Sequence, residues 1–206
     1  MAVGMIRTSA SHPLRINEIR AGNRGGLLGI TFCPGKQGYA SAGFRWERSL
    51  EADLDVIARW QPVAMLTLIE DQEFAMLGVP HLGREVRQRG IVWHHMPITD
   101  VQPPDARFEA AWSADGAAVV DILRSGGRVL VHCRGGLGRA GTVAARILIE
   151  LGHAAADAVT MVRRARPGAI ETREQLNYVL RLPCAAASRP TETDNPLPGG
   201  NPHGLV

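Results

Sequence analysis

The segment VLVHCRGGLGRAGT, residues 129–142, combines a cysteine, a glycine-rich turn and an arginine at a spacing that suits anion chemistry. A predicted buried strand ends at Cys133, five residues follow, and Arg139 then opens a predicted helix. Glycines adopt backbone conformations that are closed to other residues, so successive N–H groups can converge on one concavity. The helix N-terminus adds further free N–H donors and the positive end of its dipole. The segment therefore predicts a cradle for a phosphate group.

Each residue type in this cradle has a distinct expected task. We expect the loop to bind phosphate oxygens through backbone N–H groups, while the arginine adds two parallel side-chain donors. We expect Cys133 to be a thiolate at neutral pH, because a helix N-terminus and neighbouring cations lower the pKa of a thiol. A thiolate beneath a bound phosphate is placed for in-line attack on phosphorus. The predicted phosphate-binding set is Arg134, Gly135, Gly136, Leu137, Gly138 and Arg139.

Two other interpretations of this segment are weaker. A buried, inert cysteine at the end of a core strand is common in proteins. That interpretation explains neither the spacing from Cys133 to Arg139 nor the glycine-rich turn between them. A nucleotide-binding loop requires the pattern G-x-x-x-x-G-K-[ST], which is absent, and the only lysine, Lys36, lies far away in the sequence.

The motif resembles the H-C-x-x-G-x-x-R signature of the cysteine-dependent protein tyrosine and dual-specificity phosphatases, with His132, Cys133 and Arg139 in place. The stretches GITFCPG, VPHLGREVRQRGIVWHHMPITDVQPPD and RRARPGAIETREQLNYV extend the similarity to the kinase-associated (cyclin-dependent kinase inhibitor 3-like) branch. The resemblance covers roughly residues 27–181. It implies hydrolysis of phosphomonoesters through a phosphocysteine intermediate.

The resemblance also implies roles for residues outside the cradle. A departing alkoxide or phenoxide needs a proton, and Asp100 stands at the position of the family's general acid, with Asp105 in the same loop as the fallback. Gln175 resembles the glutamine that positions water for hydrolysis of the intermediate. His132 is expected to hydrogen-bond the loop backbone and tune the thiolate, and it is also compatible with a plain core imidazole. These residues complete the predicted catalytic set.

One residue departs from the family pattern. The family usually carries Ser or Thr directly after the signature arginine, and its hydroxyl stabilises the departing thiolate in the second step. Here that position is Ala140, and the nearest hydroxyl, Thr142, lies two residues further on. We therefore expect the intermediate to break down slowly relative to its formation.

Strand and helix patterns alternate along the chain, which predicts a single α/β domain with a central, mostly parallel sheet flanked by helices. We expect a loose arm over residues 1–24, a phosphatase domain over residues 25–182, and a disordered Pro/Gly-rich tail over residues 183–206. The predicted strands cover residues 15–19, 27–31, 63–70, 91–97 and 128–132. The predicted helices cover residues 47–60, 82–89, 108–124, 138–151, 154–166 and 171–182.

Composition narrows the class of protein. The 206 residues are 45% hydrophobic and 21% charged, with a net charge of +3, as expected of a globular domain. The basic residues are dispersed and aromatic residues make up 5%, so we expect no nucleic-acid partner. No apolar run is long enough for a membrane span or a signal peptide, so we expect a cytoplasmic protein without membrane association. His94 and His95 alternate on a strand, and we predict packing roles, no metal site and no cofactor.

Three functions therefore remain open from the sequence. The leading prediction is a protein phosphatase acting on phospho-Tyr or phospho-Ser/Thr in a phosphoprotein, with a monomer as the expected state. The alternative is a module that binds phosphoresidues or a kinase with little turnover, although Cys133, Arg139 and Asp100 are all retained. Thiol redox chemistry or sulfur transfer fits less well, because it has no use for Asp100.

Overall fold

The computed structural model describes residues 5–22, 24–40 and 43–183. Its strands are β1 (Ile6–Thr8), β2 (Asn17–Ala21), β3 (Gly26–Phe32), β4 (Gln37–Tyr39), β5 (Arg45–Glu47), β6 (Ala64–Thr67), β7 (Val92–His95) and β8 (Arg128–Cys133). Its helices are α1 (Leu50–Trp60), α2 (Asp71–Met76), α3 (Leu82–Gln88), α4 (Ala106–Arg124), α5 (Gly138–Glu150), α6 (Ala155–Ala165) and α7 (Arg173–Arg181).

A five-stranded sheet in the order β2-β3-β8-β6-β7 forms the centre of the domain. β2 runs antiparallel to β3, and all other neighbours in this sheet are parallel. The predicted α/β fold with a mostly parallel sheet is therefore confirmed. β8 lies in the middle of the sheet, where residues 129–133 are buried. Most of these side chains are apolar, which suits a central strand. Its carboxyl end, with Cys133, consequently opens at the centre of one sheet edge, where ligands bind in such sheets.

Alternating side chains of β8 support a core on each face of the sheet. Val129 and Val131 face one core, which is completed by α4, α5, α6 and α7, and Leu130 faces the other, which is completed by α1 and α3. Burial on both faces explains why the strand shows a continuous apolar run rather than a polar alternation. Among the described residues, no helix has the length and apolar character that a bilayer span requires.

The six predicted helices are present, and their ends differ from the expected ones by a few residues. Two features were not predicted. One is the short helix α2, which directly follows β6. The other is a second sheet in the order β1-β5-β4, whose three strands have three residues each. Strands of this length carry no readable alternation of apolar and polar side chains, which is why the sequence patterns missed them.

The amino-terminal segment departs from the expected loose arm. Within its described part, β1 pairs with β5, and β2 pairs with β3 at an edge of the main sheet. Ile19 and Ala21 of β2 are buried, so apolar packing holds this segment against the domain. The expected tail over residues 183–206 lies, apart from Pro183, outside the described residues.

A buried ion pair joins the small sheet to helix α1. Arg48 Nε and Nη2 donate to the two carboxylate oxygens of Asp53, each at 2.7 Å, and both side chains are excluded from solvent. Both side chains also form hydrogen bonds to the backbone. Arg48 Nη1 donates to His12 O at 2.7 Å, and Asp53 Oδ2 accepts from Gly35 N at 2.8 Å. The pair therefore connects the amino-terminal segment, the turn after β3 and α1.

Asp53→Ala is expected to lower the free energy of unfolding by about 3–5 kcal/mol, because it leaves the Arg48 charge buried without a counterion. Urea unfolding followed by circular dichroism measures this change. Glu85→Ala is the matched control, because Glu85 pairs with Arg84 and Arg89 at the surface and should change stability by less than about 1 kcal/mol. Equal effects of the two substitutions would contradict the structural role of the buried pair.

Candidate active site

Cys133 ends the central strand and lies at the base of the predicted cradle. Its side chain is buried, with 3% of the residue exposed. The backbone N–H of Gly136 donates to Cys133 Sγ at 3.2 Å, so the loop folds back over the sulfur. Gly136 has a φ of +68°, and a Cβ at this position would lie 2.5 Å from Thr31 O. Only glycine fits both the left-handed conformation and the close approach to β3.

The first three carbonyl groups of the loop after Cys133 accept hydrogen bonds from side chains that lie outside the loop. Arg134 O accepts from Lys36 Nζ at 3.3 Å. Arg166 donates from Nη2 to Gly135 O at 3.2 Å and from Nε to Gly136 O at 3.1 Å. In a planar trans peptide the carbonyl and the following N–H point in opposite directions. Outward carbonyls therefore turn the N–H groups of residues 135–137 toward the inside of the loop.

The last N–H of the loop is already occupied by a carboxylate. Leu137 O accepts from Gly141 N at 2.9 Å in the first turn of α5, and Gly138 N donates to Glu171 Oε2 at 2.7 Å. Glu171 thus binds one of the free N–H groups at the start of α5, where negative charge is stabilised. An anion bound in the cradle would share this edge of the loop with the Glu171 carboxylate.

Arg139, predicted to bind phosphate, is buried and surrounded by acceptors. Its Nη1 and Nη2 donate to the Glu73 carboxylate at 2.5 and 2.9 Å, and Nη1 also donates to Ile98 O at 3.1 Å. Nη2 contacts Asp100 Oδ1 at 2.8 Å. The Nε atom is buried and has no hydrogen-bond partner among the described residues. One donor of the guanidinium is therefore left for a ligand.

Glu73 was not predicted from the sequence, although it is the main partner of Arg139. It lies in α2, where its carboxylate also accepts from Glu70 N at 2.8 Å. Burial acts against its ionisation, but the hydrogen bonds from Arg139 and from the Glu70 backbone prevail and hold the pKa of Glu73 below its usual value. Burial likewise acts against the charge of Arg139, whose pKa is nevertheless raised by the hydrogen bonds to Glu73.

Asp100, the predicted general acid, reaches the cradle from the loop after β7. Its side chain is about half exposed and contacts Arg139 at 2.8 Å, while Arg134 Nη1 lies 3.9 Å from its other oxygen. The next residue, Val101, has a φ of +57°, which turns the chain sharply after the aspartate. The structure thus brings together Cys133, Arg139 and Asp100, which are distant in sequence.

Asp105, the fallback acid, instead caps helix α4. Its carboxylate accepts from the backbone N–H groups of Arg107 and Phe108 at 3.0 and 3.1 Å. Slight desolvation acts in the opposite direction, but these N–H groups and the Arg107 guanidinium lower the pKa of Asp105. A carboxylate used in this way is a poor proton donor at neutral pH, so the geometry favours Asp100 for that task.

Gln175 is buried and has a visible structural task at the start of α7. Its side-chain Oε1 accepts from the backbone N–H groups of Glu171 and Thr172. The backbone N–H of Gln175 donates to Thr172 Oγ1 at 3.1 Å, and the two residues together form a capping box. Its Nε2 donates to Gln102 O at 3.2 Å and thereby connects α7 to the Asp100 loop. A Cβ on Gly138 would lie 2.9 Å from Nε2, so the amide packs against the cradle.

His132 lies behind the cradle and is completely buried. Its Nε2 lies 2.7 Å from Thr67 Oγ1, which accepts a hydrogen bond from Trp93 Nε1 at 2.8 Å. The Thr67 hydroxyl can donate to His132 Nε2 or accept from it, and His132 Nδ1 is buried without a hydrogen-bond partner among the described residues. Burial lowers the pKa of His132 to about 3, so the ring is neutral near pH 7.

His94 and His95 do not meet at one site. His94 Nδ1 lies 2.8 Å from Asp115 Oδ2, whereas His95 Nε2 lies 2.9 Å from Ile69 O and its ring stacks on Trp93. The described residues contain no group of three or more His, Cys, Asp or Glu side chains arranged to hold a metal ion.

The cradle opens into a cleft of about 450 Å³, here called the active-site cleft. Charged residues of both signs line it, namely Lys36, Asp100, Arg134 and Glu171. Four residues of the site that lie outside the Cys133 motif were not predicted, namely Lys36, Glu73, Arg166 and Glu171. For Arg166 and Glu171, their place in the stretch RRARPGAIETREQLNYV was the available signal, since the same stretch supplied Gln175.

Comparison with known proteins identifies the domain family. The model of the Swiss Army Knife protein DSP-PTPase phosphatase domain matches residues 64–179, more than half of the chain. Cyclin-dependent kinase inhibitor 3 of Rattus norvegicus is 36% identical over 110 residues, which are 52% of this chain and 50% of that protein. Protein tyrosine phosphatase type IVA 3 of Homo sapiens is 37% identical over 90 residues, 44% of this chain and 51% of that protein. The matches thus span about half the length of these curated relatives.

A solved structure agrees with this assignment over a larger part of the fold. The crystal structure of kinase associated phosphatase, with the catalytic site cysteine substituted by serine, superposes with a TM-score of 0.70 and 28% identity. The superposition covers 81% of this chain and 92% of that chain. Together with the family model, these similarities confirm the predicted relationship, and the chain belongs to the DSP-PTPase phosphatase domain family.

Proposed function

We propose that this chain is a cysteine-dependent protein phosphatase that hydrolyses phospho-Tyr and phospho-Ser/Thr monoesters through a phosphocysteine intermediate. The observation that carries the proposal is the position of Cys133 Sγ beneath inward N–H groups and close enough to the Arg139 guanidinium for the two side chains to interact electrostatically. The relatives named as protein tyrosine phosphatases and the kinase associated phosphatase support a phosphoprotein as substrate.

In the first step, Cys133 Sγ attacks phosphorus, the S–P bond forms and the P–O bond to the leaving group breaks. The phosphate oxygens bind the N–H groups of residues 135–137 and the Arg139 guanidinium. Arg139 Nε is free to donate, whereas Nη2 is in contact with Asp100. Substrate binding must therefore displace the Asp100 carboxylate from Nη2, and the half-exposed side chain takes up a proton from solvent and delivers it to the leaving oxygen.

In the second step, water attacks the phosphocysteine and the S–P bond breaks. The Asp100 carboxylate takes a proton from this water, and phosphate leaves. We assign Gln175 to positioning the water, because its amide packs against Gly138 and Nε2 uses one of its two hydrogens on Gln102 O. His132 is assigned to holding the end of β8, next to Cys133, in place as a buried, neutral ring that is hydrogen-bonded to Thr67.

Ala140 makes the second step the slower one in this proposal. It offers no hydroxyl beside the departing thiolate. Thr142 does not replace it, because Thr142 Oγ1 is buried and donates to Gly138 O at 2.8 Å within the helix. The thiolate must then be stabilised without a side-chain hydroxyl, by backbone groups such as the N–H of Gly136 and by nearby charges such as that of Arg139.

Cys133→Ser is expected to abolish hydrolysis of aryl phosphates measured in the presence of a chelator. Asp100→Asn should lower kcat/KM by about 100-fold for an alkyl phosphate and by less for an aryl phosphate with a good leaving group. Asp105→Asn is the matched control, because asparagine retains the helix cap. Phosphate or vanadate binding without turnover in the wild type would instead favour a phosphoresidue-binding module. Turnover by Cys133→Ser would refute the proposed nucleophile.

Glu73→Gln is expected to lower kcat/KM about tenfold, because the Arg139 guanidinium loses its charged partner and is held less firmly. The folded-state pKa of Glu73 is below its usual value, so the carboxylate remains ionised from neutral pH down to the acid range. The ratio between wild type and variant should therefore be constant between about pH 7 and 5 and shrink only in stronger acid. The exposed Glu51→Gln is the control, and an equal effect of both substitutions would refute this role.

A further inference from the structure

Lys36 is a buried cation at the edge of the candidate active site that has no carboxylate partner among the described residues. It lies in the turn between β3 and β4 and is 8% exposed. Its Nζ donates to Arg134 O and lies 4.5 Å from the ring centroids of both Phe32 and Trp46. These contacts satisfy one of its three N–H donors and stabilise the charge through the rings, but they do not neutralise it.

Arg48, which lies near Lys36, differs from it in having a carboxylate partner. Arg48 packs against the same two rings at 4.8 and 5.4 Å, but its charge is neutralised by Asp53. Burial lowers the pKa of Lys36 to about 8, the Cys33 and Cys133 side chains act in the opposite direction, and the charges of Arg48 and Arg134 act with burial. Lys36 is thus mainly protonated at neutral pH, in a place where an anion would relieve the unfavourable burial of its charge.

Lys36 faces the active-site cleft together with Arg134. The carboxylates that line this cleft are engaged elsewhere: Asp100 contacts Arg139 at 2.8 Å and reaches Arg134 only at 3.9 Å, while Glu171 binds Gly138 N. The Arg134 side chain is half exposed, so its guanidinium is accessible from the cleft. The uncompensated charge of the cleft outside the cradle is therefore positive.

The same cleft offers apolar surface on two sides. Tyr39 and Val101 both line it and are 78% and 54% exposed. Such surfaces suit the side chains of an extended peptide better than the hydroxyl groups of a sugar or inositol ring. Since Lys36 contacts the residue directly after Cys133, a group bound there lies within about one or two residues of the phosphate under attack.

We propose that Lys36 and Arg134 form a second anion-binding subsite, which selects phosphopeptides that carry an acidic group, a carboxylate or a second phosphate, next to the phosphorylated residue. This inference rests on the proposed phosphatase function and defines its substrate class. The subsite gives charge-assisted hydrogen bonds to an anion that the cradle itself does not contact. It also uses the otherwise unpaired Lys36 charge.

The test compares kcat/KM for phosphopeptides that differ at one position, with Glu, phosphoserine or Gln at each position next to the phosphorylated residue. The wild type should prefer the acidic peptides over the Gln peptide by about tenfold at the favoured position. Lys36→Met should reduce this ratio to near one, mainly through KM, and Lys36→Arg should retain most of it. Arg84→Met removes a remote, exposed charge from α3 and should leave the ratio unchanged.

Because the readout is a ratio within one variant, a general loss of activity or of folded protein does not affect it. A wild-type ratio near one, or a ratio unchanged in Lys36→Met, would overturn the subsite while leaving the phosphatase function intact. Faster hydrolysis of soluble inositol polyphosphates than of any peptide would overturn the peptide assignment. If no peptide is hydrolysed, the phosphatase function fails, and the ratio of Kd values on Cys133→Ser still decides whether the subsite exists.

Discussion

The buried charge of Arg139 is the constraint around which the site is organised. A guanidinium that is 1% exposed must find acceptors for its N–H groups, and here they come from two separate segments. Glu73 of α2 binds it through two hydrogen bonds, and the loop after β7 supplies Ile98 O and the Asp100 carboxylate. The arginine therefore determines where α2 and the candidate acid lie relative to the cradle.

The cradle concentrates positive potential, and the surrounding chain compensates for it. Inward N–H groups, the start of α5 and the arginine all favour an anion at one place. Without a ligand, Asp100 and Glu171 supply negative charge at its edges, and Cys133 Sγ accepts from Gly136 N. Substrate phosphate thus displaces the Asp100 carboxylate from Arg139, which frees the Asp100 side chain when the leaving group needs a proton.

The sequence allowed prediction of those parts of the site that depend on local spacing. Cys133, the glycine-rich loop and Arg139 lie within one strand–turn–helix unit, and their order alone indicates an anion cradle. Glu73 was missed because α2 is short and its partner lies in another segment. Gln175 has a further, structural task that was not predicted, because its amide forms a capping box with Thr172, and the sequence T-x-x-Q was the available signal for it.

Lys36 and Arg166 show a second limit of sequence reasoning. Each holds a carbonyl of the loop after Cys133 from a distant part of the chain, and neither carries a motif of its own. Their importance follows from peptide geometry, because the direction of each carbonyl determines the direction of the next N–H. The small sheet that supplies Trp46 was also unpredicted, since its strands are too short to show periodicity.

In the proposed mechanism, phosphate is transferred to Cys133 before it reaches water. Acid quenching of the enzyme during turnover of a radiolabelled phosphopeptide, followed by mapping of the protein-bound label, tests this transfer. We expect a rapid burst of labelled phosphate on the peptide that contains Cys133, followed by slower release because Ala140 lacks a hydroxyl. Steady turnover with no protein-bound phosphate, or label on a different residue, would contradict it.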